Sequence, residues 1–317
     1  MKTNSILFLF FILSLCACDT LITEISPEDL PGGTSKLVVQ SFISPQAARI
    51  NVVVTESIPL FGESSSSNSV VTNAVVKISG GGNEATLTYD TTSQLYSIER
   101  TKFPIVAAQT YKLSVSDGTR SVSASCTVPL NQATIKSYVI DTAYLNRRFG
   151  PDTALTLKMV WQDIAGEVNY YRVRANMDVE YSILEGTNPD NFVEKRVRNR
   201  FSFNWNDNSG RSQYQNDKNL DGTLFTSPMG RGFLPSTLMY TASDGTMYYA
   251  KQKPKLISLV MEVNNTEKSY YDYHRSLDLN DDTDNPFSEP VLIFSNIEGG
   301  LGCFAAYNNR QVTYRPL

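Results

Sequence analysis

Residues 111–128 read YKLSVSDGTRSVSASCTV, and this stretch decides the fold class. Apolar and polar residues alternate in Tyr111–Val115, and the alternation resumes in Val122–Val128 after an intervening Asp117-Gly118. A period of two places the apolar side chains on one face of a β-strand. Asp-Gly between two such runs predicts a β-hairpin whose tight turn has a positive φ at both turn residues.

The same alternation extends towards the N-terminus. It predicts further strands at Lys36–Ile43, Arg49–Thr55, Ala74–Ser79 and Ala85–Tyr89. Glycine, proline and serine, which favour turns, separate these runs. We expect about seven short strands over Ser35–Pro129, and this spacing favours a β-sandwich of immunoglobulin or transthyretin type over residues 35–131.

A second β-rich unit follows, over residues 132–317. Leu155–Trp161 alternates, Asp163–Gly166 turns the chain, and Tyr171–Met177 alternates on the return; together these look like the B–C hairpin of a fibronectin type III module. The predicted fold is therefore all-β, with two β-domains in series. Further strands are predicted at Lys195–Trp205, Met247–Lys251, Lys255–Val263, Val291–Ser295, Gly302–Tyr307 and Gln311–Arg315.

One short helix interrupts the strands of the second unit. It is predicted over Glu267–Leu279, with Thr266 as the N-cap. Tyr270, Tyr273 and His274 fall on one face of it, which we expect to pack on a sheet.

The N-terminal segment predicts export and a lipid anchor. Ile6–Leu15 is an apolar run about half as long as a membrane-spanning helix, which is typical of a signal peptide at residues 1–17. Leu15-Cys16-Ala17-Cys18 matches the bacterial lipobox, so we predict lipidation of Cys18 and a linker over residues 18–34. Asp19 and Glu24 follow; acidic residues at this place resemble a signal for export of lipoproteins to the cell surface, whereas Asp19 in enterobacteria would indicate inner-membrane retention.

Composition limits the classes of partner and of covalent link. The formal net charge of −4 argues against a nucleic-acid binder. Apart from Cys16 and Cys18, the chain contains Cys126 and Cys303, which export would permit to form a disulfide. Cys126 lies on the apolar face of a predicted strand, so two buried free thiols are slightly favoured.

Few residues point to catalysis. His274 is the single histidine, on the apolar helix face, where a packed side chain is the ordinary interpretation. The best metal candidate is Asp217, Asn219 and Asp221 in the string DKNLDG, because alternate oxygen side chains before a glycine resemble a calcium loop. An EF-hand would require Glu at the position of Pro228. A polar β-turn is therefore the ordinary interpretation of this string, and a calcium site is the alternative.

Two surface features remain open. Arg196, Arg198 and Arg200 share one side of a strand, either as a solvated face or as a docking strip for an acidic partner. The tyrosine pairs 170–171, 248–249 and 270–271 either stack on sugars or belong to the core and sheet surface.

Several segments together resemble a known family. They are the lipobox, Lys36–Gln40 (KLVVQ), Asn73–Ile78 (NAVVKI), Asn285–Pro290 (NPFSEP) and Ser295–Phe304 (SNIEGGLGCF), in that order. This arrangement resembles a family of Bacteroidota lipoproteins of unassigned function, typically encoded beside SusC-like TonB-dependent transporters. The resemblance covers nearly all of the mature chain. It carries over no catalytic residue and no ligand.

The resemblance implies a non-catalytic outer-membrane lipoprotein that partners a TonB-dependent transporter in nutrient uptake. A surface adhesin or structural β-module is the alternative. A carbohydrate-active enzyme comes third, because it requires two carboxylates facing each other across a cleft, which spacing in the sequence does not show.

Overall fold

A computed structural model describes residues 35–58, 70–147, 150–185, 193–206, 212–241, 245–281 and 291–316. The described residues do not include the predicted signal peptide 1–17, the predicted lipidation site Cys18, the predicted linker to residue 34 or the segment Asn285–Pro290. Within them the chain is all-β with a single short helix, as predicted. None of the helical structure described is long and apolar enough to cross a membrane.

Seven strands form before Pro129, the number expected. They are β1 (Leu37–Ile43), β2 (Arg49–Glu56), β3 (Val75–Gly80), β4 (Asn83–Asp90), β5 (Leu95–Glu99), β6 (Thr110–Ser116) and β7 (Ser121–Thr127). Six of them lie close to the predicted limits, and the seventh, β5, has no predicted counterpart.

The predicted hairpin of residues 111–128 is confirmed, and its turn differs in detail. β6 pairs antiparallel with β7 up to Ser116 opposite Ser121, so four residues form the connection. Gly118 has a φ of 96°, whereas Asp117 is not left-handed. The carboxylate of Asp117 instead accepts the backbone N–H groups of Thr119 and Arg120, at 3.0 and 2.7 Å. These bonds fix a wider turn than the expected type I′.

The second part of the chain adds twelve strands and the helix. They are β8 (Thr134–Arg147), β9 (Gly150–Gln162), β10 (Tyr170–Glu185), β11 (Val193–Ser202), β12 (Asn204–Asn206), β13 (Tyr214–Asn216), β14 (Leu224–Thr226), β15 (Met229–Phe233), β16 (Thr237–Thr241), β17 (Met247–Lys251), β18 (Lys255–Thr266), α1 (Lys268–Asp281) and β19 (Leu301–Tyr314).

The last strand joins the two parts into one sheet. Its order is β11-β10-β18-β19-β1-β2-β5-β4-β3-β6-β7, with β13 paired to β10. β19 pairs antiparallel with β18 and parallel with β1. The sequence predicts two strands here, at Gly302–Tyr307 and Gln311–Arg315, and the structure has one continuous strand. A smaller sheet, β12-β15-β9-β14 with β8 on β9, packs against the β10–β18 region.

The described residues form two main cores, one enclosed by strands of the long sheet and one between that sheet and the smaller one. The first takes most of its residues from β1–β7, and Ile297, Phe304 and Ala306 join it from the C-terminal region. The second contains Trp161 of β9 and Tyr171 of β10, both fully buried. The predicted limits at residues 131 and 132 thus fall between two cores that share β19.

Helix α1 covers the outer side of the sheet. Tyr270 and Tyr273 of α1 pack against Phe42 of β1 and against Cys303 and Ala305 of β19. The side chain expected to cap this helix does not do so: the Thr266 hydroxyl donates to the backbone oxygen of Tyr170, at 3.1 Å. Thr266 ends β18 and is held by its strand neighbour.

Two further expectations are corrected. β9 and β10 form, but they belong to different sheets, so the Asp163–Gly166 turn connects facing sheets and is not the loop of a hairpin. Val291–Ser295 is extended without a strand partner. Side chains of α1 replace the missing strand, since Asn280 Oδ1 accepts from Val291 N at 3.1 Å and Ser276 Oγ accepts from Phe294 N at 3.0 Å.

Gly302 is required by the central position of β19. Its φ is 106°, and a Cβ there would lie 2.1 Å from the backbone oxygen of Val39 on β1. Any side chain would therefore push β19 away from its parallel partner.

Candidate functional site

The site lies where two loops meet at one end of the second core. One loop, residues 163–169, connects β9 to β10, and the other, residues 217–223, connects β13 to β14. The second loop contains the predicted calcium residues. It makes two successive turns, with Leu220 N bonded to Asp217 O and Thr223 N to Leu220 O. Asn219 has a left-handed φ of 64°, a conformation that asparagine tolerates better than most residues.

Backbone amides of each loop donate to carboxylates of the other. Asn169 N donates to Asp217 Oδ2, Gly166 N to Asp221 Oδ1 and Gly222 N to Asp163 Oδ2, at 2.8, 2.8 and 2.7 Å. Asp163 and Asp217 are buried, whereas Asp221 is exposed. Since charged acceptors give stronger hydrogen bonds than neutral ones, the two loops are held in a fixed arrangement.

Asp163 also orients the core beneath the loops. The hydroxyl of the fully buried Tyr171 donates to Asp163 Oδ1 at 2.7 Å. Burial, followed by this hydrogen bond, raises the pKa of Tyr171 above its usual value. Tyr171 therefore stays protonated and keeps its bond to the carboxylate.

The structure brings Asp163, Asp217 and Asp221 together. One carboxylate oxygen from each lies within 4.8 Å of the others, a separation that a divalent cation can bridge. Two of the three predicted calcium residues, Asp217 and Asp221, are in this group. The third position belongs to Asp163, and no described contact draws the exposed Asn219 side chain into it. The calcium hypothesis stays a prediction with an altered ligand set.

A groove of about 510 Å³ opens between the two loops. Glu167 and Val168 line one side, Asn216 through Asn219 the other, and Tyr170 lies between them. A second cavity of about 200 Å³ shares Glu167, Val168 and Tyr170 and continues past them to Lys268. The two cavities thus meet at Tyr170.

Tyrosines support the floor of the groove. Tyr170 packs on Tyr271 of α1, with ring centroids 5.1 Å apart and planes tilted by 45°. The Asn216 amide donates to the Tyr271 hydroxyl at 3.1 Å, so the ring is fixed from the loop side as well. These residues come from two of the three tyrosine pairs in the sequence. The other member of each pair, Tyr171 or Tyr270, is buried.

The predicted arginine strip is exposed and already paired. Arg196 reaches Glu180 at 2.8 Å, and Arg198 and Arg200 reach Asp178 at 3.5 and 2.9 Å. The hydrogen bond from Arg200 lowers the pKa of Asp178 to about 2. Because two carboxylates of β10 pair with the three arginines, most of the positive charge of the strip is already balanced.

His274 is packed among aromatic rings, as its helix position predicts. Its ring stacks on Tyr214 at 5.8 Å and lies 4.8 Å from that of Phe42, and Nε2 is 3.4 Å from Nη1 of Arg172. Burial, then the nearby Arg172 and Arg174, lower the pKa of His274 to about 3. The imidazole is neutral at physiological pH, which suits a packing role.

Both described cysteines are free, buried thiols. Near them lies Glu267, whose Oε1 accepts from Thr127 N at 3.3 Å, while no described residue bonds the buried Oε2. Burial raises the pKa of Glu267 to about 7.

Sequence reasoning found one wall of the site and missed the other. The sequence predicts Asp163 only as part of the turn between two alternating runs, and its distance in the chain from residues 217–221 hides their contact. The sequence does contain a signal for Asp163, which lies just after the apolar alternation that ends at Trp161. A carboxylate at the end of a buried strand needs hydrogen-bond donors, so this position indicates a contact with another segment.

Comparison with known proteins gives one family. No curated protein matches the chain significantly. A family model described as a domain of unknown function, DUF4249, matches residues 22–313, which include both cores, both site loops and α1. Since the match spans most of the sequence, the chain belongs to the DUF4249 family.

Proposed function

We propose that the chain is an exported outer-membrane lipoprotein, anchored through Cys18, that binds a ligand without transforming it. In this role it is the accessory partner of a TonB-dependent transporter in nutrient uptake. The lipobox sequence supports the anchor, and the resemblance to Bacteroidota lipoproteins supports the partner.

The groove at Tyr170 is the observation that carries a binding role. Its two walls are tied together by carboxylate–amide hydrogen bonds, and each is held by β-strands at both ends, so the cavity is formed before any ligand arrives. Preformed sites avoid the entropic cost of ordering loops on binding. The volume of about 510 Å³ lies in the range of small-molecule sites.

The groove chemistry disfavours hydrolysis at the carboxylate cluster. Glycosidases need one carboxyl group to donate a proton and a second to attack or to activate water. Asp163 is only 4% exposed, and both its oxygens accept hydrogen bonds from Tyr171 and Gly222. It is therefore withdrawn from a substrate in the groove.

The transporter partnership is tested by affinity purification from the native host. We expect an affinity-tagged TonB-dependent transporter, encoded next to this chain, to recover the chain from solubilised outer membranes, and the reverse. Cys18→Ser removes the lipidated thiol and is expected to release the chain from the membrane fraction. Recovery of neither protein with the other would contradict the partnership.

A surface adhesin is the second candidate, favoured by β8. This strand is paired on one side to β9, and it exposes Val139 and Tyr144, at 65% and 78%. Exposed apolar residues on an edge strand are suited to contact with another macromolecule. Deletion of the gene separates the two candidates: loss of uptake supports the transporter partner, whereas loss of attachment with normal uptake supports the adhesin.

A further inference from the structure

The groove at Tyr170 carries an inference about the class of ligand. We propose that it binds a neutral oligosaccharide, which lies across Tyr170 with its hydroxyl groups bonded to the side chains of the two loops. This inference rests on the proposed binding function and names the ligand of the same site.

Charge in the groove argues against an anionic ligand. Glu167, Asp217 and Asp221 line it against Lys218. An anion would meet three carboxylates at short range, and the repulsion would exceed what one lysine offsets. The lining equally disfavours a purely apolar ligand, because each carboxylate would lose water without a replacement donor.

The lining atoms match groups that both donate and accept hydrogen bonds. Asp217 is more than nine-tenths buried, and its Oδ2 accepts from Asn169 N, whereas no described residue donates to its Oδ1. Asn219 and Lys218 add donors on the same wall. A sugar hydroxyl can donate a hydrogen bond to a carboxylate, and its oxygen can at the same time accept one from an amide or ammonium group.

Apolar contacts complete the match. Tyr170 is half-buried and held by Tyr271, so its remaining surface is presented in a fixed orientation. Val168 is 75% exposed beside it. The C–H face of a sugar ring packs on such surfaces, and rigid aromatic side chains contribute contact area at a low entropic cost.

The second cavity indicates the length of the ligand. Both cavities share Tyr170 and Val168, and the smaller one extends from there towards Leu130 and Lys268. A chain of several sugar units can thus cross Tyr170 and occupy both sides, whereas a monosaccharide would fill part of the larger cavity.

The test uses the purified mature chain on an array of neutral glycans, followed by calorimetry with the strongest ligand. We expect Tyr170→Ala to weaken binding about tenfold, equivalent to about 1.4 kcal/mol. Asn219→Gly suits the left-handed backbone and removes the amide, so it weakens binding without disturbing the fold. Tyr144→Ala removes an exposed tyrosine of β8 and is expected to leave affinity unchanged.

Two results would overturn the ligand class. One is the absence of binding to any neutral glycan on the array, and the other is equal affinity in wild type, Tyr170→Ala and Asn219→Gly. Spermidine serves as a cationic probe: if it binds at these residues with strong salt dependence and no glycan does, the groove recognises ammonium groups instead.

These outcomes are separate from the transporter test. A chain that co-purifies with the transporter and binds no glycan refutes the ligand class and leaves the partnership intact. A chain that binds glycans through Tyr170 and does not co-purify refutes the partnership.

Discussion

The acidic loop at Asp217 and the basic strand β11 are both rich in charge, but they satisfy that charge differently. Backbone amides bind the carboxylates of the loop, so the negative charge is stabilised without being cancelled. Two carboxylates of β10 bind the three arginines of β11, so most of the positive charge is cancelled. A run of charged residues can still attract a ligand when backbone amides bind the charges, because amides carry no net charge. The attraction is mostly lost when side chains of opposite charge bind them.

The largest expected effect comes from the loop, at Asp163. Asp163→Ala leaves the buried Tyr171 hydroxyl and Gly222 N–H without their acceptor, and we expect a loss of about 3 kcal/mol of unfolding free energy. Urea denaturation measures it. Arg200→Ala is the matched control on β11, and equal losses in the two variants would break the comparison.

Calcium addresses the same loop directly. The calcium hypothesis predicts that Ca²⁺ at one hundred times its Kd stabilises the chain by about 2.7 kcal/mol, and that Tb³⁺ at the site emits after excitation of the nearby tyrosines. Asp221→Asn keeps an acceptor for Gly166 N and removes one charge, so it is expected to abolish both signals. No shift in the melting temperature with Ca²⁺ would identify the loop as a polar turn.

Glu267 tests a partly buried carboxylate outside the loop, which accepts from Thr127 N. Its pKa is raised from 4.5 to about 7 by burial, so between these values the folded chain retains a proton that the unfolded chain has released. Stability therefore falls as pH rises through this window, by about 2 kcal/mol once partial exposure is discounted.

Glu267→Gln keeps an acceptor for Thr127 N and removes the titration. The variant is expected to show a flatter stability profile between pH 4.5 and 7 and to be more stable than wild type at pH 8. The neighbouring thiols of Cys126 and Cys303 have raised pKa values and stay neutral there. Parallel profiles for the two proteins would refute the assignment.

The smallest effect is expected on β11. Arg200→Ala removes a pair in which the arginine side chain is 64% exposed, so the loss of stability is below about 1 kcal/mol. The pKa of Asp178 should rise from about 2 towards 3.8, which NMR titration detects. Since a lowered pKa stabilises the fold above 3.8 and this contribution is lost as pH falls through 2, the wild type and the variant should converge in acid. A fall in glycan affinity in this variant would contradict the neutral role of the strip.

Local patterns predicted the strands, and distant contacts were beyond them. Alternation places β1, β2, β6 and β7 within a residue or two of their observed limits, since side-chain direction repeats every two residues. The same reasoning located Asp217 and Asp221 in a turn. It did not find Asp163, because the hydrogen bond between Gly222 and Asp163 joins loops 59 residues apart.

Val291–Ser295 shows the opposite failure. Its apolar residues predict a strand, but a strand also requires a neighbour with free backbone groups, and α1 occupies that place through Asn280 and Ser276. The sequence pattern indicates the propensity of a segment to form a strand. Whether the strand forms also depends on whether the rest of the fold offers it a free sheet edge.

The position of β19 has a consequence for how the chain matures. β1, near the start of the described chain, is completed by a strand that follows it by more than 250 residues; the Gln46–Asn308 hydrogen bond spans 262 residues. Contacts of such high order form late and slowly. Until β19 arrives, β1 and β18 each present an open edge that invites pairing with other chains. During synthesis from the N-terminus these edges therefore stay open until β19 is in place.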